Sequence, residues 1–495
     1  LVDLHVQDWD GIWCAVLADR FAAATIGTVT HVVGNPPWVK WSHLPPDYAK
    51  FIKPLCLSMN VFSEDRYVGG IESDVSTVIT FAAVDRWLRS DGKIGFFITG
   101  TVFNNESSQG FRRFEKADGS ILAGFLAIED FREIKPFNGV ANHPTFFIAK
   151  KGIRTEYPIT YTIWTRHIEH RSWKSAAEFR ANSNPVRLLA APVPGSDAGP
   201  LLKGTRSQME LWNRLFDAGA ASYYTARKGV TTDLNGVYFV RVLDCDGDLV
   251  TIENDPTLGR TPGIPKVRRK IETTHLFPLL RGRELAAFEI RMQGLYVILP
   301  QRGMYGDPEL PTTAPRTYEY LHRFEEQLRR RGSYRRYQFG KPFWSTWSTG
   351  PYTFAPYKVL WKEMSGHRFC AAYVGPVPDA PGGERPVVPD HKLYFVPVNS
   401  LDEARYLTAL LNAPTVAKAI SAYAAQLSLG TSVIEYLRIP RFDEREPAHL
   451  RLAELAERMT TEPTARVSLD LNKELDEVAW TVLTSGMPYH SLVDA

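Results

Sequence analysis

Over the first 165 residues the apolar positions change period in blocks. Thr30-His31-Val32-Val33-Gly34 is a short apolar run ending at a glycine, which predicts a strand. From 74 to 90 the spacing lengthens. Val75, Val78, Ile79, Ala82 and Leu88 form a helical stripe, Asp74 stands at the N-cap position, and Gly92 follows the end. Lys93–Thr99 reads as the next strand, Asn104-Asn105 as a polar turn, and Gly110–Phe114 as a helix. Ile121–Ile128 and Thr145–Ala149 add two strands. Such alternation predicts a layered α/β domain.

Pro185, Pro192, Pro194, Gly195, Gly199, Pro200 and Gly204 then break the pattern, so 182–206 reads as a loop or linker. A helix restarts at Ser207–Phe216. Short β-like runs follow at Val237–Val242, Leu295–Leu299, Lys358–Trp361 and Lys392–Val396, with helices over 400–426 and 445–482. The expected division is the carboxyl-terminal part of an α/β domain over 1–165 and a linker or extension over 166–206. A mixed α+β domain over 207–440 and a helical tail over 441–495 complete it.

Composition narrows the class. The 495 residues suffice for two to four domains, and 44% hydrophobic with 23% charged residues is a globular composition. No apolar run approaches the ~18 residues of a membrane helix, and no signal peptide is visible. The start at Leu1 leads us to expect further residues upstream. Cys14, Cys56, Cys245 and Cys370 lie far apart, which fits reduced thiols in the cytoplasm better than disulfides or zinc. No metal site is expected. The net charge of +3 is uneven: residues 260–341 hold 17 Lys/Arg against 8 Asp/Glu. That excess is a candidate polyanion footprint.

One motif carries specific chemistry. Gly34-Asn35-Pro36-Pro37-Trp38 sits at the carboxyl end of the first strand, where open α/β sheets bind ligands. Two prolines fix φ and remove donors, leaving carbonyls to face a pocket. The Asn35 amide oxygen and the Pro36 carbonyl could each accept one hydrogen from an exocyclic amine, localising its lone pair. Trp38 offers a face to a flipped base.

Val-Val-Gly-Asn-Pro-Pro-Trp at 32–38 resembles the catalytic motif of adenine-N6 DNA methyltransferases that carry target recognition after the catalytic domain. Asp74–Thr77, Gly92–Thr99 and Pro136–Gly139 through Thr145–Ile148 resemble the segments that follow it in that family. The resemblance implies a partial Rossmann-like methyltransferase domain followed by a target-recognition domain. It implies methyl transfer from S-adenosylmethionine to a flipped adenine of double-stranded DNA, in a restriction-modification or phage-defence system. Asn35, Pro36, Pro37 and Trp38 would be catalytic, with Phe137, then Phe146, on the base's other side. The family's Gly-rich cofactor loop is not found before Asn35. It is expected on upstream sequence or on a partner chain, alongside other defence-system subunits, while Asp8 or Asp10 could touch the cofactor.

The basic segment suits DNA. Lys266, Arg268, Arg269 and Lys270 form one cluster, Arg281 and Arg283 a pair, and Arg329, Arg330, Arg331, Arg335 and Arg336 another, with Tyr334 and Tyr337 interleaved. Glu325 and Glu326 could instead pair with Arg329–Arg331 along a helix. Two rivals stand beside this reading: a methyltransferase of RNA bases or protein glutamine, and a non-catalytic DNA-recognition subunit or remnant.

Overall fold

The computed structural model describes residues 25–62, 73–134, 136–137, 142–166, 173, 175–216, 223–363, 369–424, 430–431, 434 and 436–484, with 18 and 22 as isolated positions. The chain divides into two units, Leu1–Asn213 and Arg214–Ala495.

The first unit is built on a seven-stranded sheet. Its elements are β1 (Val29–Gly34), α1 (Pro46–Ser58), α2 (Val75–Arg86), β2 (Leu88–Thr99), α3 (Gln109–Arg113), β3 (Ala123–Asp130), β4 (Pro144–Lys151) and β5 (Ile159–Arg166). After them come α4 (Ala176–Ala181), β6 (Ser183–Pro192), β7 (Leu201–Gly204) and α5 (Arg206–Leu215), which ends just past the division. The strand order is β1-β2-β4-β3-β5-β6-β7. β1 and β2 run parallel, in register Val32–Ile94, Val33–Gly95 and Gly34–Phe96. Parallel neighbours need a crossover, and α1 and α2 supply it. The Asp74 carboxylate caps α2, accepting from the Ser76 amide at 2.9 Å as its position predicts. One face of the sheet and α2 share a core that includes Phe81, Val84, Leu88, Ile94, Phe96, Ile98 and Phe147.

Residues 182–206 depart from expectation. They are not a linker but strands β6 and β7, which extend the sheet beyond β5. Pro185 is tolerated because β7 pairs with β6 only from Leu189 onward. Opposite Trp164 on β5, Pro185 therefore sits where β6 is still an edge and needs no donor on its outer side. The helix expected to run to residue 90 stops at Arg86, and Leu88–Asp91 already belong to β2.

The second unit holds a six-stranded sheet in the order Arg268–Glu272, Leu249–Asn254, Phe239–Asp246, Leu295–Ile298, Leu276–Leu280 and Val388–Pro389. A four-stranded sheet consists of Ala371–Val374, Tyr357–Lys362, Leu393–Val398 and Arg227–Lys228. Helix Leu401–Asn412 packs against Pro447–Thr461, so the described part of the expected tail packs within this unit. The fold is thus mixed α/β, with parallel and antiparallel pairs in its sheets. No helix among the described residues is long and apolar enough to cross a membrane.

Candidate functional site

The Asn35–Trp38 loop leaves the carboxyl end of β1 beside the end of β2. Pro36 is buried, Trp38 half-buried, and Asn35 and Pro37 are exposed. β1 pairs with β2 only as far as Gly34–Phe96. Just past that point the Phe97 carbonyl accepts the Trp38 indole N–H at 3.1 Å, which pins the ring to the sheet. Behind the loop, the Val75 amide donates to the Val39 carbonyl at 2.9 Å and the Trp41 amide to Ser73 at 2.8 Å. The cap of α2 and the loop are therefore one hydrogen-bonded structure. Burial pushes the Asp74 carboxyl up, while bonds from Ser76 and the charge of Lys40 oppose it.

Phe137 meets Trp38 at 5.5 Å between centroids and 81° between planes. The rings touch edge to face, so the space between them is closed to a planar base. Phe97 organises this wall. It meets Phe137 at 5.3 Å, Phe146 at 5.1 Å and Phe131 at 5.4 Å. Phe146 thus reaches Trp38 only through Phe97. A Cβ on Gly95 would lie 2.5 Å from the tip of the Phe146 ring, so only glycine lets Phe146 lie there. Phe97 and Gly95 were not singled out in the sequence, although both lie two apart on one face of a predicted strand, which was the available signal.

A buried polar network lies under the same sheet. Asp130 accepts from the Tyr161 hydroxyl at 2.7 Å and from the Arg132 guanidinium and amide at 2.8 Å each. Burial would raise its carboxyl, but Arg132 and Tyr161 hold it below the usual range. Lys203 donates to the Asn104 side chain at 2.7 Å and lies over the Tyr161 ring. Burial brings its ammonium down to about 7, with Asp130 opposing. Asp8, Asp10 and Cys14 lie outside the described residues. Among the described residues no His/Cys/Asp/Glu group could hold a metal.

The basic residues of the second unit separate into unlike groups. Arg268 and Arg269 are exposed on the edge strand of the six-stranded sheet. Lys266 pairs with Glu253 at 2.8 Å and Lys270 with Asp246 at 2.5 Å. Arg281 is half-buried, 3.7 Å from the Asp390 carboxylate, between clefts of about 360 and 310 Å³, whereas Arg283 is exposed. Arg329 and Arg330 pair with Glu325 and Glu326 one helical turn earlier, at 2.6 and 2.5 Å. Arg331 corrects the expectation of a DNA contact. It is 4% exposed and donates to the carbonyls of Leu328, Thr232, Phe343 and Ser345. Burying a charge demands such saturation, and none of its surface is left for a phosphate. Arg335 and Arg336 are exposed. Phe343 and Trp344 are core.

No family model matches the chain. Over 148 residues, 29% of its length, it is 31% identical to the Type II methyltransferase M.NspV of Nostoc sp., and it spans just over a quarter of that relative, 28%. The structure of the Type IIL restriction-modification enzyme MmeI in complex with DNA overlays 93% of the chain at a TM-score of 0.52 and 11% identity, with 55% of that enzyme covered. The chain is therefore similar in sequence to a Type II methyltransferase and in fold to a restriction-modification enzyme, as the Asn-Pro-Pro-Trp segment implied.

Proposed function

We propose that the chain is the base-binding and DNA-recognition part of an adenine-N6 DNA methyltransferase of restriction-modification type. The observation that carries this is the Asn35–Trp38 loop, held at the carboxyl end of β1 with its indole fixed to the Phe97 carbonyl. The similarity to a Type II methyltransferase supports it. In this reading the first unit is a partial Rossmann-like domain and the second recognises the target.

An adenine turned out of the duplex stacks on Trp38. Its amine donates one hydrogen to the Asn35 amide oxygen and one to the Pro36 carbonyl. Both bonds hold the nitrogen in place and direct its lone pair outward, so the chain contributes position and alignment. No strong base is needed, because the nitrogen sheds its proton after the new N–C bond has formed. Phe137 must turn aside if it is to cover the base's second face, since it now touches Trp38. S-adenosylmethionine would supply the methyl group. Asp8 or Asp10, which lie outside the described residues, would touch it.

Asn35→Ala tests the reading. Methyl transfer to adenine should be abolished while affinity for duplex DNA stays within a few fold. Retained transfer would remove Asn35 from the mechanism.

A further inference from the structure

In the second unit, an aromatic side chain stands out of the surface on a rigid turn. Phe339 is 82% exposed. It is the second residue of a tight turn, closed by the Lys341 amide donating to the Gln338 carbonyl at 3.0 Å. Gly340, the third residue, has φ +80°, the value a type II turn requires there. The base of the turn is locked. Gln338 is 1% exposed, and its amide donates to the carbonyls of Met304 at 3.0 Å and Thr346 at 2.9 Å. Immediately before it, Tyr337 stacks on Trp347 at 4.5 Å.

The surroundings say what such a side chain meets. Met304 and Tyr305 are exposed beside the turn, and Lys341 lies over the Tyr305 ring. Arg335 and Arg336 are exposed, and among the described residues neither pairs with a carboxylate, in contrast to Arg329 and Arg330. Arg331 through Lys362 contain no Asp or Glu. An apolar projection with unneutralised guanidinium groups on the helix that leads into its turn matches a surface that is anionic outside and flat and apolar within. Duplex DNA has that structure, with phosphates over stacked bases.

We propose that Phe339 is a wedge that enters duplex DNA and parts a stacked base step, with Arg335 and Arg336 on the adjacent phosphates. This rests on the reading that the second unit meets DNA. Arginine anchors set affinity through phosphates, while the ring replaces the base–base stacking it breaks. The locked turn lets the ring enter without an ordering cost, as a mobile loop would not.

The test uses the full chain and a duplex selected by it from a random library, with 2-aminopurine placed at successive positions. Apart from the rise at the captured adenine itself, the chain should raise fluorescence at one further step and bend the duplex by about 20° or more, read by end-to-end energy transfer. Phe339→Ala should abolish both signals and weaken binding roughly 5- to 150-fold with an unchanged salt slope. Phe339→Leu should keep the bend. Arg335→Gln with Arg336→Gln should lower the log–log salt slope by up to about two. Phe339→Ala that binds, bends and unstacks like the parent would overturn the wedge and leave DNA recognition standing. A chain that selects no duplex at all would overturn both.

Discussion

Arg331 gives the sharpest separation between a charge that binds and a charge that holds a fold. Its guanidinium donates to four carbonyls drawn from three stretches of chain, Thr232, Leu328, and Phe343 with Ser345. It also lies 5.4 Å from the centre of the Tyr238 ring. In Arg331→Met the stem is replaced but all four carbonyls lose their donor. An unsatisfied buried acceptor costs ~1–3 kcal/mol, but removing a charge from the interior returns part of that. The expected net loss is roughly 2–4 kcal/mol, from several carbonyls left without a donor less the returned desolvation. Arg329→Gln and Arg330→Gln remove only exposed ion pairs and should each cost under ~1 kcal/mol. Pulse proteolysis across a urea series would measure the three variants on the second unit, with salt-dependent DNA binding in parallel. The reasoning fails if Arg331→Met unfolds within ~1 kcal/mol of the parent while its salt slope drops by about 0.9, the signature of a lost phosphate contact.

Three further outcomes are expected. Gly95→Val should displace Phe146 and, through Phe97, disturb the wall beside Trp38, lowering base capture in a 2-aminopurine assay more than duplex affinity; equal losses would point to general unfolding. Trp38→Phe should keep much of the base-stacking signal and Trp38→Ala lose it, and equal signals in the two would remove the stacking role. Lys203 is held near 7, below its unfolded value of about 10.4, so the unfolded chain binds the extra proton between those pH values. Stability of the first unit should then rise with pH from about 7 toward 8.5, before the Cys56 and Tyr161 groups begin to titrate in the unfolded chain. Lys203→Met should flatten that rise, and an unchanged slope in thermal melts would show that the ammonium is not strained by burial.

What was legible in the sequence follows the range of the interaction involved. The Asp74 cap and its helix depend on neighbours within one turn, and both were readable. The Asn-Pro-Pro-Trp loop was readable because local backbone chemistry restricts it. Arg329, Arg330 and Arg331 look alike in sequence. Two are paired one helical turn away, while the third is buried by carbonyls as far off as Thr232. Pro185 and Pro192 mark a loop by composition, yet an outer strand accommodates a proline whose free side has no partner, and only the strand order shows which side is free. Phe97 escapes a reading of the sequence because its role lies in the carbonyl it gives to Trp38 and in three ring neighbours contributed by other segments, Phe131, Phe137 and Phe146.

The claim that Asn35–Trp38 presents an adenine amine for methylation meets its most direct test in the DNA of a methylation-deficient host that expresses the gene encoding this chain. Single-molecule sequencing should find N6-methyladenine at one defined motif with the parent gene and none with Asn35→Ala. Methylation that survives Asn35→Ala, or that falls on cytosine, would contradict the account.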